Sequence, residues 1–316
     1  MADLNVNSIG DASGGTTATV NGFTPTVSNM AGRNLIINGA MQVAQRGTTG
    51  TNSSTGYGIF TSVDRWATYY NGTRSQQLNE VINGAYTYYL KIDGNTAPVN
   101  LFFYQKIEFG SRLVSGKEVT LSFLAKSSNS TAMRIRARFY DSATQNNVSE
   151  SAIGVASLTN TWTSYSYTFT PTDSSANLTR DLMLLFDCDG GAYSTGDDIS
   201  ITGVQLEEGS VATPFEHRQY GQELALCQRY FQVWRAGWTG VSASAGYQYS
   251  ATVNFSVTQR VSPTITLTSY STGSRFPQGN WFTTNVGAEG FTGACTANAS
   301  GGNDNWLAVG TALAEL

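Results

Sequence analysis

"VQLEEGSVATPFEHRQYGQELALCQRYFQ", residues 204–232, contains the change of pattern that decides how the whole chain is interpreted. Its first residues have the character of a β-strand, Pro214 interrupts that strand, and the residues after it show helical spacing. An isolated helix of this length is marginal in water, so it must pack on something. The stretch predicts a short helix that links two β regions. Its apolar stripe, a candidate interface between copies of the chain, is Tyr220, Leu224, Cys227 and Phe231.

Patterns on either side of this stretch predict an all-β chain. Residues 34–213 read as successive short strands with turn-rich connections, which favours an antiparallel sandwich or barrel. Residues 238–316 return to alternating strands and are expected to form a small C-terminal β tip. Residues 1–33 contain one aromatic residue and too little apolar bulk to fold alone, so they are expected to be an extended arm. The helical adaptor between the two β regions is placed at residues 214–237.

Composition limits the class of protein. The chain has 316 residues, a net charge of −4 and only 13% charged residues, which argues against a general nucleic-acid binder. We find no signal peptide and no run of about 18 apolar residues, so membrane insertion is not expected. The three cysteines are far apart and odd in number, which favours buried, reduced thiols and synthesis in a reducing cytoplasm.

The sequence gives no recognisable catalytic motif. It has no CxxC, GxSxG or GxxxxGK[ST] pattern, and His217 is its single histidine. We interpret His217 as a structural residue at the joint between strand and helix, in preference to a catalytic base. Glu207 and Glu208 are interpreted as solvent-exposed residues at a strand end, in preference to an acid/base pair. The expectation is therefore a protein without catalytic residues that is not an enzyme.

An acidic stretch, "DCDGGAYSTGDD" (187–198), leaves a calcium site open. Asp187, Asp189 and Asp198 fall at positions 1, 3 and 12 of a twelve-residue window, as in calcium loops. Gly191 and Ala192 stand where such a loop needs a further ligand and a glycine. A polar hairpin without metal is therefore favoured over the calcium site.

Two sets of residues are candidates for binding glycans. In "MRIRARFY", Arg134, Arg136 and Arg138 share one strand face, and Ile135, Ala137 and Phe139 share the core face. The arginines form either a basic stripe for an acidic ligand or a row paired with acids of a neighbouring strand, and pairing is favoured. The available acids have matching parity: Asp181, Asp187 and Asp189. Most strand aromatics are expected in the core, and an exposed minority would form a sugar platform; the candidates are Trp66, Tyr69, Tyr70, Trp281 and Trp306.

Residues 203–232 resemble a segment shared by tail-fibre and other receptor-binding proteins of tailed bacteriophages. "NLIINGAMQVAQRGT" (34–48), followed by "DRW" (64–66), resembles the opening of the same domain. The β domain is also similar to jelly-roll carbohydrate-binding modules; the matching strands are "NLIINGAMQ" (34–42), "VTLSFLAKSS" (119–128), "WTSYSYTFT" (162–170) and "DDISITGVQLE" (197–207). The resemblance therefore implies a jelly roll at residues 34–213.

The resemblance also carries expectations about partners and function. It implies a structural virion protein, a homotrimeric tail fibre that attaches to host surface glycan, is anchored to other virion proteins by residues 1–33 and is assembled in the host cytoplasm. The alternatives are a capsid decoration or head-fibre protein and, less favoured, a glycan depolymerase. In the carbohydrate-binding modules a glutamate and an aspartate help to hold a structural calcium. The matching positions here are Gln42 and Asp197 or Asp198, so the carboxylate of the opening strand is missing.

Overall fold

The computed structural model describes residues 32–69, 72–94, 101–129, 132–141, 144, 146–173, 179–188, 197–240, 244–301 and 304–315. Most of the predicted arm (1–31), Tyr70 and Asp189 lie outside these residues. The chain divides into two compact units, Met1–Arg218 (unit 1) and Gln219–Leu316 (unit 2). The prediction of a nearly all-β chain with antiparallel sheets and a short helix is confirmed.

The described residues of unit 1 form twelve strands and one helical turn, α1 (Gly110–Val114). The strands are β1 (Thr49–Thr51), β2 (Ile59–Phe60), β3 (Ala67–Thr68), β4 (Thr73–Ile82), β5 (Tyr86–Gly94), β6 (Leu101–Ile107), β7 (Val119–Ser127), β8 (Ala132–Asp141), β9 (Asn146–Ser157), β10 (Thr163–Phe169), β11 (Asp181–Cys188) and β12 (Asp198–Glu208). They form two six-stranded antiparallel sheets. The order of the first, here the front sheet, is β2-β3-β6-β11-β8-β9, and that of the second, the back sheet, is β1-β4-β5-β12-β7-β10. This is the jelly-roll sandwich that the sequence predicts.

The main core lies between the front and back sheets. Phe103 and Phe186 stack with their ring centroids 5.0 Å apart, and Phe123 of the back sheet meets Phe186 edge-on at 5.4 Å. Ile135, Ala137 and Phe139 also face this core, as the alternation in β8 predicts. The arginines between them therefore point to the outer face of the front sheet.

Strand β6 departs from this alternation, because all seven of its residues are buried. Phe103 belongs to the main core, whereas its neighbours Phe102 and Tyr104 belong to a second apolar cluster. A strand that is buried on both faces must have something covering its outer side. The front sheet therefore carries a second, smaller core on its outer face.

Residues 213–218 close unit 1 by pairing with the first described residues of the chain. The two carboxylate oxygens of Glu216 accept hydrogen bonds from the backbone N–H groups of Gly32 and Asn34, at 2.6 and 2.8 Å. Arg218 donates from its guanidinium to the carbonyl oxygen of Ile36 at 3.0 Å. This polar network accounts for the length of the segment between the last strand of unit 1 and the helix.

Unit 2 contains helix α2 (Tyr220–Gln228), a short 3-10 turn (Gln278–Asn280) and six strands. The strands are β13 (Phe231–Gly240), β14 (Gln248–Asn254), β15 (Thr264–Thr272), β16 (Trp281–Gly287), β17 (Gly290–Thr296) and β18 (Asp304–Leu313). They form two three-stranded antiparallel sheets, β13-β18-β15 and β14-β17-β16. Their common core includes Trp234, Phe276, Phe291 and Trp306.

The helical adaptor predicted at residues 214–237 is wrong at both ends. Helix α2 covers only residues 220–228, and residues 231–237 lie in strand β13. Phe231 therefore does not share a helical face with Tyr220, and it is 5% exposed. Cys227 is fully buried inside unit 2, whereas Leu224 is partly buried and Tyr220 is exposed. The predicted stripe is not one continuous surface, because most of its apolar bulk serves the fold of unit 2.

Candidate functional site

The candidate site is the outer face of the front sheet. Six buried residues form its floor, named here the outer cluster: Ala67, Phe102, Tyr104, Tyr140, Met183 and Leu185. They come from β3, β6, β8 and β11, and Tyr57, Phe60 and Tyr69 pack against them. The strand register makes these residues neighbours across the sheet. Tyr104 of β6 pairs with Leu185 of β11, and Leu185 pairs with Arg136 of β8. The aromatic floor thus continues directly into the arginines of β8.

The arginines of β8, named here the arginine row, are paired with two acids. Asp187 of β11 accepts from Arg136 in a short contact and lies 3.3 Å from a guanidinium nitrogen of Arg134. Glu150 of β9 accepts from Arg138 in a short contact and lies 3.3 Å from a guanidinium nitrogen of Arg136. Pairing with Asp187 was predicted by parity, and Glu150 is an additional partner that the parity argument did not include.

The two acids differ in their exposure to water. The side chain of Asp187 is 2% exposed, whereas that of Glu150 is 38% exposed. Burial works to raise the pKa of Glu150, but the hydrogen bond and charge of Arg138, together with Arg136, outweigh it and hold the pKa below its ordinary value of 4.5. Glu150 is therefore held as a carboxylate. The row presents charged donors and acceptors side by side at the edge of the aromatic floor.

Lys106 lies within the aromatic floor. It is 4% exposed, and its amino nitrogen is 3.6 Å from the ring centroid of Tyr140. Burial raises the pKa of Tyr140, and the charges of Tyr57, Asp181 and Asp141 add to that effect. Tyr140 therefore stays a neutral phenol, whose ring face attracts the cation.

A loop covers this floor. Between β1 and β2, residues 53–58, named here the cover loop, carry Tyr57 across the outer cluster. The hydroxyl oxygen of Tyr57 accepts a hydrogen bond from Arg138 at 3.1 Å. Tyr104 and Tyr140 are only 1% and 0% exposed as a result. The surface open to solvent is the arginine row, Glu150 and the outer side of the loop.

The aromatic residues predicted to bind glycans fall into different environments. Trp66 is 3% exposed in the main core, where it packs on Phe103 and Phe186, so this assignment is wrong. Trp306 is 1% exposed in the core of unit 2, and that assignment is wrong for the same reason. Trp281 is partly buried and stacks on Trp234 with centroids 5.6 Å apart. Tyr69 lies on the outer face of the front sheet beside Tyr57.

The acidic residues predicted as calcium ligands do not fit a metal site. Asp187 is neutralised by two arginines on the front sheet, whereas Asp198 belongs to the back sheet and pairs with Lys91 at 3.1 Å. Asp197 accepts a hydrogen bond from Asn129 at 3.2 Å. Among the residues that the structure describes, no group of three or more Asp, Glu, His or Cys side chains is placed to hold a metal ion.

The remaining polar candidates are accounted for by packing. Glu207 is 1% exposed, which corrects the expectation that it faces solvent; it accepts hydrogen bonds from the backbone and hydroxyl of Thr213. Glu208 is exposed and pairs with Lys117 at 3.0 Å. His217 packs against the rings of Tyr86 and Phe215. Cys227 and Cys295 are buried and lie outside any disulfide, and no described helix is long and apolar enough to cross a membrane.

Five residues of the site were missed by sequence reasoning: Tyr57, Phe102, Tyr104, Tyr140 and Glu150. A usable signal existed for two of them. The sequence of β6, "LFFYQKI", shows no alternation, which is the mark of a strand that is covered on both faces. Tyr57 gave no comparable signal, because it lies in a turn-rich loop whose path depends on the finished sheet.

Residues 52–180 match the model of a carbohydrate binding domain. This segment contains the cover loop, the arginine row and Glu150. Asp187 follows the segment by a few residues. A search among proteins of curated function gave no match.

Three solved structures are similar to parts of this chain. The enzymatically active domain of tailspike protein 4 of bacteriophage CBA120 shares 17% identity over 56% of this chain and 21% of its own, with a TM-score of 0.37. A putative sugar binding protein from Bacteroides thetaiotaomicron shares 18% identity over 55% of this chain and 99% of its own, also with a TM-score of 0.37. A xylan-binding domain from Paenibacillus barcinonensis shares 11% identity over 52% of this chain and 94% of its own, with a TM-score of 0.33. The match thus spans about a fifth of the length of that tailspike domain.

Proposed function

We propose that unit 1 binds carbohydrate on the outer face of its front sheet. The observation that carries the proposal is that the segment matching a carbohydrate binding domain supplies both the aromatic floor and the arginine row. Aromatic rings offer an apolar face to the C–H groups of a sugar ring. Guanidinium and carboxylate groups offer planar pairs of donors and acceptors to its hydroxyls. The front sheet places both kinds of group on one surface.

A binding role is favoured over hydrolysis by the state of the acids. A glycosidase needs one carboxylic acid that is protonated near neutral pH, and that requires a raised pKa. The pKa of Glu150 is lowered by Arg138 and Arg136, and Asp187 lies against two arginines. We therefore propose that the protein is not an enzyme. The full-length chain should release no reducing ends from any oligosaccharide that it binds.

The test of binding uses Arg136→Met in the full-length chain, with Lys126→Met as the matched control. Lys126 of the back sheet is also ion-paired, to Glu80 at 3.0 Å, and also contacts aromatic rings, so it controls for the loss of a paired cation. A panel of neutral and acidic oligosaccharides is screened first, and affinities are then measured by calorimetry. Arg136→Met should weaken binding about tenfold or more, or about 1.4 kcal/mol, with Lys126→Met unchanged. Equal affinities of the two variants would refute the assignment.

We infer further that the chain is an adhesive fibre protein of a bacteriophage virion, bound to host surface glycan as a homotrimer. The similarity of residues 203–232 to tail-fibre segments supports this inference. Three linked sites would raise the avidity for a repetitive glycan surface by about 10²–10⁴ without better contacts. Light scattering of the full-length chain should give three times the chain mass of 33.9 kDa. A monomer would contradict the trimeric fibre.

The second candidate is a capsid decoration or head-fibre protein. In either case we propose that residues 1–33 anchor the chain to other virion proteins. The two differ in what the chain binds in the virion. A tail fibre should label the tail in electron micrographs of antibody-treated particles, and its removal should abolish adsorption to the host. A head protein should instead bind empty capsids and leave adsorption unchanged.

A further inference from the structure

The aromatic floor of the proposed sugar surface is closed to solvent. A binding site does not need such a closure. Tyr104 and Tyr140 are 1% and 0% exposed, so no ligand reaches their rings while the cover loop stays in place. Tyr57 packs on the floor beside Phe60 and Tyr69, and the Lys106 amino nitrogen lies over the Tyr140 ring. The contacts of Tyr57 therefore decide whether the floor is part of the core or a binding site that Tyr57 occupies.

The ring of Tyr57 sits in a box of four aromatic rings. Its centroid lies 4.8 Å from that of Tyr69, 5.6 Å from Tyr104, 5.9 Å from Tyr140 and 6.5 Å from Phe102. Three of these contacts are edge-to-face. The box thus encloses a six-membered ring and meets it from several directions.

The hydroxyl of Tyr57 points to the polar end of the same box. It accepts from the Arg138 guanidinium at 3.1 Å and from the side-chain amide of Asn147 at 3.5 Å. A pyranose ring makes the same demands, with C–H groups that pack on aromatic rings and a peripheral oxygen that accepts hydrogen bonds. The groups around Tyr57 are therefore the groups that would hold one sugar ring.

The backbone on either side of Tyr57 is glycine and borders open space. Gly56 and Gly58 flank Tyr57 with φ angles of 152° and 84°, which glycine adopts without strain. A Cβ added at either position would meet no atom within 4 Å, so nothing packs against the outside of these glycines. The Gly58 N–H donates to the hydroxyl of Tyr104, and the Gly56 N–H donates to the carbonyl oxygen of Tyr69 at 3.0 Å. The loop can therefore leave the floor by breaking a few hydrogen bonds and the contacts of one ring.

We propose that Tyr57 fills, from within the chain, the subsite of one pyranose ring, and that a glycan binds by displacing it. The proposal rests on the proposed function and adds a closed state to it. The subsite accepts a pyranose that presents an acceptor oxygen to Arg138 and Asn147. Closure lowers the apparent affinity, because only the open fraction of molecules is competent to bind.

The first test uses the wild-type chain and hydrogen exchange of backbone amides. A glycan found in the oligosaccharide screen should speed hydrogen exchange at the Gly58 amide. Displacement of Tyr57 should break the hydrogen bond that the Gly58 N–H donates to the Tyr104 hydroxyl. Slower exchange in the cover loop on glycan addition would show that Tyr57 is a platform for the sugar, and would overturn the proposal. The two models thus predict opposite changes in the amide exchange rate, and both can be measured in the wild-type protein.

The second test uses Tyr57→Ala in the full-length chain, with p-cresol as a probe of the emptied box. The variant should bind p-cresol, detected by saturation-transfer NMR, and wild type should not. The glycan should compete with p-cresol, and it should bind the variant about threefold or more tightly than wild type. Tyr57→Phe keeps the ring and loses the contacts to Arg138 and Asn147, so its affinity should lie between the two.

The outcomes separate this proposal from the proposed function. If Arg136→Met weakens glycan binding but Tyr57→Ala also weakens it, the front sheet binds sugar and the displaced-tyrosine model is wrong. If the glycan and p-cresol occupy Tyr57→Ala together, the box is a cavity apart from the sugar site, and the model is again wrong. If neither wild type nor Tyr57→Ala binds any oligosaccharide, the proposed function itself fails.

Discussion

The two outer faces of the sandwich in unit 1 carry the same kinds of residue in different arrangements. On the front sheet, Asp187 lies 2% exposed between two arginines, and a loop covers the aromatic floor. On the back sheet, the cover consists of side chains from the strands and from Trp162, the residue just before β10. Tyr89 and Trp162 meet at 5.3 Å, with the Lys126 amino nitrogen 4.7 Å from the Trp162 ring centroid. Two back-sheet acids, Asp198 and Glu80, have side chains that are 16% and 43% exposed. Asp93 of β5 is as buried as Asp187, at 2%, and is paired with Arg74.

The difference shows which face can change state. Lys126 and Trp162 are fixed at or beside strand residues, so uncovering the back sheet requires several rotamer changes on regular structure. On the front sheet, the proposed displacement would move one loop and the ring of Tyr57 off Tyr104. A face covered by a glycine-flanked loop can open at a small cost in free energy, and ligand-binding regions are drawn from such low-stability segments.

The largest difference between the faces is expected from Asp187→Ala compared with Asp198→Ala. Removing Asp187 takes away the buried carboxylate that Arg134 and Arg136 share, and should lower the free energy of unfolding by about 2–3 kcal/mol. Removing Asp198 costs less than about 1 kcal/mol, because its pair with Lys91 is more exposed. Urea unfolding followed by tryptophan fluorescence measures both. Equal losses would mean that the burial of an ion pair does not determine its contribution to stability here.

A smaller effect is expected from Trp162→Ala on the back sheet. The variant loses the contact with Tyr89 and the interaction with Lys126, so unfolding free energy should fall by about 1–2 kcal/mol. Trp162→Phe should recover part of that loss. Oligosaccharide affinity should not change in either variant, because the back sheet is not the proposed site. A loss of affinity in calorimetry would move the site to that sheet.

The fold was more predictable from the sequence than the site. Alternation in "MRIRARFY" correctly separated the core-facing residues of β8 from the arginines, because residue parity alone fixes the face of a strand. The same rule identified Asp187 as a partner. It could not identify Glu150, since that needs the register between β8 and β9, which contains two irregularities. Parity also cannot show that Trp66 faces the core, since β3 has only two residues.

The cover loop illustrates a second limit. The path of Tyr57 depends on contacts with β3, β6 and β8, which are distant in sequence and adjacent only in the sheet. The helical stripe failed for a related reason. Spacing of four, three and four continued through Phe231, but tertiary pairing of β13 with β18 takes over at that residue. Short periodic segments give the type of an element more reliably than its end.

The smallest effect is expected from Glu150→Gln, which tests the exposed end of the arginine row by its dependence on pH. Arg138 and Arg136 hold the pKa of Glu150 below 4.5 against the effect of burial, so its stabilisation is present above that value and is lost as pH falls through the lowered pKa. Near neutral pH the variant should be less stable by under about 1 kcal/mol, since the side chain is 38% exposed. Urea unfolding from about pH 7 to about pH 3 should show this difference shrinking. A difference that grows on acidification would reverse the sign and place Glu150 outside the ion-pair network.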